Sequence, residues 1–166
     1  MTTHFNSFRT GLAVCALLFT GACSKDSSDS TSNTVGSDGM SWTVDGKTET
    51  AVLTTGGLNT LGNLPLLTVV GKTTNSSAGS MTTLNMGRAV GTHSLIYSPT
   101  TGYSAAYTAS SGTTYIASSG TATITTYTAS ATAGESHVVG TFTFTGTDPN
   151  GSGTKALTNG KFDLKF

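Results

Sequence analysis

Apolar and hydroxyl side chains alternate with a period of two through most of this chain, and that alternation admits essentially one kind of structure. Val138-Val139-Gly140-Thr141-Phe142-Thr143-Phe144-Thr145 sets Val138, Phe142 and Phe144 on one side and threonines on the other. Lys161-Phe162-Asp163-Leu164-Lys165-Phe166 alternates charge with bulk, and Gly120-Thr121-Ala122-Thr123-Ile124-Thr125 alternates threonine with Ala122 and Ile124. Successive side chains of a strand point to opposite faces, so this pattern reads as strands with one face buried and one wet. No apolar stripe of helical period and useful length comes after the first 22 residues, so no significant helix is expected.

Strands are also predicted at 41–44, 48–54, 65–72, 81–86, 91–98, 103–109 and 113–117. Turn signals separate them: Asp45-Gly46, Gly56-Gly57, Ser98-Pro99, Ser118-Ser119-Gly120, Asp148-Pro149-Asn150-Gly151 and Asn159-Gly160. Asp-Gly and Asn-Gly supply the positive φ angles of tight hairpins, although Asn159-Gly160 also fits a bulge inside one long final strand. Many short strands at regular spacing imply an all-β fold, a single antiparallel β-sandwich or a small barrel-like domain over residues 40–166. That length is enough for one core and too short for two typical domains.

The first 39 residues have a different character. Residues 1–10 are polar with Arg9 as the one firm positive charge; 11–20 (GLAVCALLFT) are uncharged and apolar. An apolar run of about ten residues is half the roughly twenty needed to cross a membrane, so residues 1–22 read as a removable export signal. Thr20-Gly21-Ala22-Cys23 resembles a bacterial lipobox, with Thr20 where an aliphatic residue is usual. The resemblance implies cleavage before Cys23 and lipid on its thiol. Cysteine usage agrees: the chain has two, and Cys15 leaves with the signal. Cys23 then has no intramolecular disulfide partner, which lipidation explains.

Residues 23–39 form the expected tether. From Ser24-Lys25-Asp26-Ser27-Ser28-Asp29 to Gly39 there is one aliphatic residue, Val35, too little apolar surface to offset ordering entropy. A flexible coil of roughly 16 residues has an end-to-end distance of about 20–25 Å. Ser24-Lys25-Asp26 also resembles the charged signal behind the lipid cysteine of surface-exported Bacteroidota lipoproteins. The expected location is therefore the outer membrane, displayed at the cell surface, with the periplasmic leaflet as the alternative.

Eight basic residues balance eight acidic ones, and only 10% of the chain is charged. A near-neutral surface argues against nucleic acid as a partner. It leaves the membrane, through the N-terminal lipid, and a glycan or envelope protein. Trp42-Thr43-Val44-Asp45-Gly46, Gly91-Thr92-His93-Ser94-Leu95, Gly120-Thr121-Ala122-Thr123-Ile124-Thr125, Val139-Gly140-Thr141-Phe142-Thr143-Phe144 and Leu157-Thr158-Asn159-Gly160-Lys161-Phe162 succeed one another in that order. The ordered set resembles a family of Bacteroidota lipoproteins without an assigned activity, over essentially all of residues 40–166. His93 stands where that family usually has an aromatic. The resemblance implies fold and location and carries no reaction with it.

Residues able to do chemistry are sparse. His93, His137 and Glu135 would suit zinc only if folding brought them together, since no short ligand spacing links them. Asp45 and Asp148 sit in turns, where aspartate is favoured for local backbone hydrogen bonds. Asp148-Pro149-Asn150-Gly151 lacks the acidic residues that should come after it in a calcium loop. No GxSxG elbow is present. No catalytic residue, metal or cofactor is expected. Five tyrosines, Tyr97, Tyr103, Tyr107, Tyr115 and Tyr127, crowd the central third. Aromatic rings pack on the apolar faces of sugars, so Tyr103, Tyr107, Tyr115 and Tyr127 are the candidate ligand-binding residues. Tyr127 is out of phase with Ala122 and Ile124, which places it on the opposite face unless a bulge intervenes. The expected function is a lipid-anchored, non-enzymatic binding or structural protein of the envelope. The alternatives are a carbohydrate-binding accessory lipoprotein using surface tyrosines and a small barrel enclosing an apolar ligand.

Overall fold

The computed structural model describes residues 39–151 and 153–166. The signal segment, Cys23 and all of the tether before Gly39 lie outside the described residues. Ten strands make up the domain: β1 (Gly39–Val44), β2 (Lys47–Thr50), β3 (Leu53–Leu61), β4 (Leu64–Lys72), β5 (Met81–Gly87), β6 (Gly91–Ser94), β7 (Ser104–Thr108), β8 (Thr114–Thr128), β9 (His137–Thr147) and β10 (Thr154–Lys165). No helix occurs among the described residues. Every pairing is antiparallel, in the order β2-β1-β10-β9-β8-β7-β5-β4-β3, with β6 also on β8. The sheet curls into a half-barrel, which decides between the two architectures left open by the sequence.

The two edges of the sheet belong to one stretch of chain. β2 and β3 are separated only by Ala51 and Val52. Ala51 N–H donates to Met40 O on β1, and Val52 N–H to Lys72 O on β4, each at 2.8 Å. Backbone 47–61 therefore borders β1 with its first half and β4 with its second, so the curl is held where an open sheet would expose two edges. β6 and β7 similarly share the lane beside β8: β6 pairs with 121–124 and β7 with 114–116. Because neighbouring strands alternate in direction, Gly39, Phe166 and the β3–β4, β5–β6 and β8–β9 connections fall at one end. The remaining hairpin turns fall at the other.

Alternation does what the sequence implies. Val138, Phe142 and Phe144 are buried, and Thr141 and Thr143 are exposed. Trp42, Met40, Leu67, Val69, Leu84, Met86, Ile124, Phe162 and Leu164 complete a core with almost no solvent contact. Each such side chain contributes about 1.5–3 kcal/mol by leaving water. Phe142 stacks on both Phe144 and Phe162, with ring centroids 6.3 and 6.4 Å apart. The neighbouring glycines make room for these rings. A Cβ on Gly140 would lie 2.4 Å from Phe162 Cζ and 2.4 Å from Thr123 O; one on Gly160 would lie 2.6 Å from the Phe142 ring. Rings laid over glycines on the adjacent strand allow the tight coiling of the sheet.

Three expectations change. Gly56-Gly57 is no turn: both lie inside β3, and the hairpin reverses at Gly62 (φ 60°) and Asn63. Gly56 is needed because a Cβ there would lie within 2.7 Å of the Leu164 and Phe166 side chains. Ser118-Ser119-Gly120 is a bulge, so the strands predicted at 113–117 and 120–125 merge into β8. There Gly120 has φ 137°, with Thr143 O 2.4 Å from its Cβ position, a conformation and a space closed to other residues. A second bulge, between Ile124 and Thr126, shifts the phase again. Tyr127 thereby pairs with buried Val138 and packs on the core, on the same face as Ile124. Asn159-Gly160 is a bulge within β10, with Asn159 at φ 52°.

Candidate functional site

The four candidate tyrosines separate once folded. Tyr107 and Tyr115 are core residues, 4% and 7% exposed, stacked with centroids 6.2 Å apart. Tyr127 also packs on the core, and its Oη is buried without a hydrogen-bond partner. A surface platform does not form from this set, because strand phase and the bulge at Thr125 turn three of the four rings inward. Tyr103 alone reaches a concave surface, while Tyr97 stands 65% exposed on the loop between β6 and β7.

That surface is a cleft of about 250 Å³ in the wall of the half-barrel, where the lane beside β8 passes from β6 to β7. Leu64 and Pro65 of β4, Gly87 at the end of β5, Arg88, His93 of β6 and Tyr103 line it. His93 meets Tyr103 edge to face, centroids 5.9 Å apart and planes at 88°. His93 Nε2 lies 2.7 Å from Ala89 O. A carbonyl only accepts, so Nε2 carries the proton and Nδ1 is left as an acceptor. Arg88 crosses the β3–β4 hairpin, donating from Nε to Leu66 O (3.2 Å) and from Nη2 to Asn59 O (2.7 Å). The cleft thus holds an acceptor, a phenol and a braced guanidinium against an apolar wall.

Sequence reasoning missed Arg88 and Gly87 entirely, and it treated His93 and Tyr103 apart. It also missed a second polar cluster inside the curl. Glu49 Oε2 accepts from Trp42 Nε1 (2.8 Å) and from Ser80 Oγ (2.6 Å), and the Tyr107 hydroxyl lies 3.4 Å from both carboxylate oxygens. Burial first, and then the Glu49 charge, push the Tyr107 phenol up to about 12. This cluster joins β2 to β1, to the end of the β4–β5 connection and to β7, which makes it a structural latch across the curl.

The other sequence candidates lie elsewhere. His137 is hydrogen-bonded to Asp163 Oδ1 at 2.7 Å on the outer face, and Glu135 accepts from Ser130 Oγ. No group of three metal-ligating side chains converges among the described residues, so His93, His137 and Glu135 stay apart. Asp148 accepts the Asn150 N–H at 2.7 Å, the local turn contact expected of it. Asp45, at φ 52° in the β1–β2 turn, accepts from Lys155 Nζ, and that hydrogen bond raises the Lys155 ammonium above its ordinary range. A larger groove of about 440 Å³ runs over the convex face past Ser41, Thr125, Thr141, Lys161 and Asp163. Its polar groups are partly engaged already: Thr125 Oγ1 donates to Val139 O, and Asp163 holds His137. The cleft at Gly87 is the better-equipped of the two. Comparison with protein-family models, curated proteins and solved structures returned no match for this chain.

Proposed function

We propose that this chain is a lipid-anchored cell-envelope protein that works by binding and not by catalysis. It is held at the outer membrane through Cys23, with surface display as the favoured placement and the periplasmic leaflet as the other. The membership in a Bacteroidota lipoprotein family, taken from the ordered strand motifs, belongs to this reading. The observation that carries the binding role is the cleft at Gly87, where the wall of a well-packed domain opens and polar atoms face a concavity. A rigid surface with a few oriented polar groups on an apolar background is the usual form of a recognition site.

A second reading, a carbohydrate-binding accessory lipoprotein, is favoured by the one candidate tyrosine that reaches the cleft. Tyr103 offers a ring face and a phenol together, and His93 beside it adds an acceptor. Sugars need that combination of an apolar platform and paired donors and acceptors.

Two measurements test these readings separately. Mass spectrometry of the mature N-terminus is expected to find acylated Cys23, and Cys23→Ser to move the protein from the membrane to the soluble fraction. An unmodified Cys23 would defeat the anchor. A glycan array and an envelope pull-down then test binding. Capture that survives Tyr103→Ala would remove the cleft from the account.

A further inference from the structure

The β3–β4 hairpin runs past the sheet that supports it. β5 ends at Gly87, opposite Leu66, so Leu64 and Pro65 of β4 have no strand beside them on that side. The stretch from Leu53 to Leu66 contains no charged residue, although strands that reach solvent are normally blunted by charge. Leu61 and Leu64 face each other across the tip, Leu58 lies at its base, and Val90 stands on the β5–β6 connection. These four side chains are between 40% and 61% exposed. Arg88 ties that connection to the hairpin through Asn59 O and Leu66 O. Gly102 props the tip from outside: a Cβ there would lie 2.8 Å from Leu61 Cδ2.

This apolar tip is at the tether's end of the domain. Gly39 and the β3–β4 and β5–β6 connections share that end, and roughly 16 residues, a coil of about 20–25 Å, separate Gly39 from Cys23. A lipid on Cys23 holds the tip near the bilayer at an effective concentration on the order of millimolar, so even a weak contact forms. Four aliphatic side chains are far fewer than the roughly 20–30 residues each partner brings to a stable protein interface, which disfavours a second copy. They suit the boundary of headgroups and acyl chains, where shallow apolar insertion combines with cationic contact to phosphates. Arg88 supplies the cation: two of its five N–H groups hold the hairpin, and no carboxylate pairs with it among the described residues. The one acid in the three connections at this end, Glu135, belongs to the β8–β9 connection and accepts from Ser130 Oγ.

We propose that the β3–β4 tip docks on the bilayer that carries the anchor, with Leu61, Leu64 and Val90 in the interface and Arg88 at the lipid phosphates. Leu64 and Arg88 also border the Gly87 cleft, which docking brings to the membrane surface. This inference rests on the lipid anchor proposed at Cys23 and adds to it the face that the domain turns to the membrane.

The test places the mature acylated protein in vesicles of phosphatidylcholine and phosphatidylglycerol, with and without dibrominated acyl chains, which quench an indole they touch. Trp42 is fully buried, so the parent supplies a background that bromine leaves unchanged. Leu64→Trp adds an indole at the tip and is expected to lose most of the added emission. Leu61→Trp, across the hairpin, is the second variant and is expected to do the same. Ile116→Trp replaces an equally exposed side chain beside the β7–β8 turn, at the opposite end, and is expected to keep its emission. Adding Leu61→Ser and Val90→Ser to Leu64→Trp should restore most of the emission. Unquenched tip indoles, or Ile116→Trp quenched as strongly, would overturn the proposal. So would a Cys23→Ser protein that sediments as a dimer and becomes a monomer on Leu64→Ser, which gives the tip to a second copy. Mass spectrometry separates the two readings: an unmodified Cys23 removes the anchor and this inference together, whereas an acylated Cys23 with an unquenched tip removes this inference alone.

Discussion

Glu49→Ala should be among the most damaging single changes in this domain, despite lying on a short edge strand with exposed neighbours. The Trp42 Nε1–H and the Ser80 hydroxyl both lose their acceptor. Trp42 is fully buried and Ser80 is 3% exposed, so water does not readily replace the carboxylate. A buried donor left unsatisfied costs about 1–3 kcal/mol; Trp42 bears that in full, while the Ser80 hydroxyl keeps Thr73 Oγ1 at 3.1 Å, so the change costs about 2–4 kcal/mol. With a mid-range urea dependence of about 2 kcal/mol per molar, the unfolding midpoint falls by roughly 1–2 M. Glu49→Gln retains a carbonyl acceptor in nearly the same place and should cost about 1 kcal/mol. Urea titrations monitored by Trp42 fluorescence measure both, since Trp42 is the only tryptophan. If Glu49→Ala unfolds within about 0.5 kcal/mol of the parent, the donors have found other partners, and the latch across the curl is no part of what holds it.

Other perturbations separate packing from surface. Gly140→Ala meets Phe162 and the Thr123 carbonyl at 2.4 Å and should cost about 1–3 kcal/mol, whereas Gly57→Ala meets nothing within 4 Å and should be neutral or slightly stabilising. Tyr107→Ala empties a core position and should cost about 3–5 kcal/mol; Tyr97→Ala, at an exposed site, should change stability by less than about 0.5 kcal/mol. The Tyr107 phenol, raised from 10.0 to about 12, makes stability fall as pH rises through that window, because the unfolded chain releases the proton first. Alkaline denaturation read by circular dichroism checks this. In Glu49→Gln the phenol should ionise at lower pH than in the parent yet still above 10.0, since burial is its largest cause.

The strand content was legible because period two is a local property, visible in any six residues such as those from Thr141 to Gly146. What escaped was non-local or broke the phase. Ser118-Ser119-Gly120 has the composition of a turn, and only the pairing of Ala117 with Gly146 and of Ser119 with Thr145 reveals a bulge. The bulge before Thr126 carries no compositional mark, so local pattern allows for the inward turn of Tyr127 without requiring it. Glu49 carries no local mark of its role, because Trp42, Ser80 and Tyr107 come from three separate segments. The one available signal was Trp42 itself: a buried indole N–H needs an acceptor somewhere. Tyr103 and His93 were both visible as residues, but their convergence depends on β6 and β7 sharing one lane, which no local pattern encodes.

The packing of the interior bears on where recognition can occur. A Cβ on Gly71 of β4 would lie 2.6 Å from Met40 Sδ and 3.1 Å from the Trp42 ring, both on β1. Side chains from opposite parts of the curl therefore meet with less than a methyl group to spare. An apolar ligand entering there would have to displace Trp42, and Trp42 is tied to Glu49 at 2.8 Å. That displacement carries the same desolvation cost as removing Glu49, about 1–3 kcal/mol for the indole alone, before any cavity is opened. Such a cost weighs against the interior as a binding chamber and favours concavities the fold already holds open. The cleft at Gly87 is one of these, and filling it displaces no core side chain. A ligand there exploits the wall break between β6 and β7 and leaves the packing of the barrel interior unchanged.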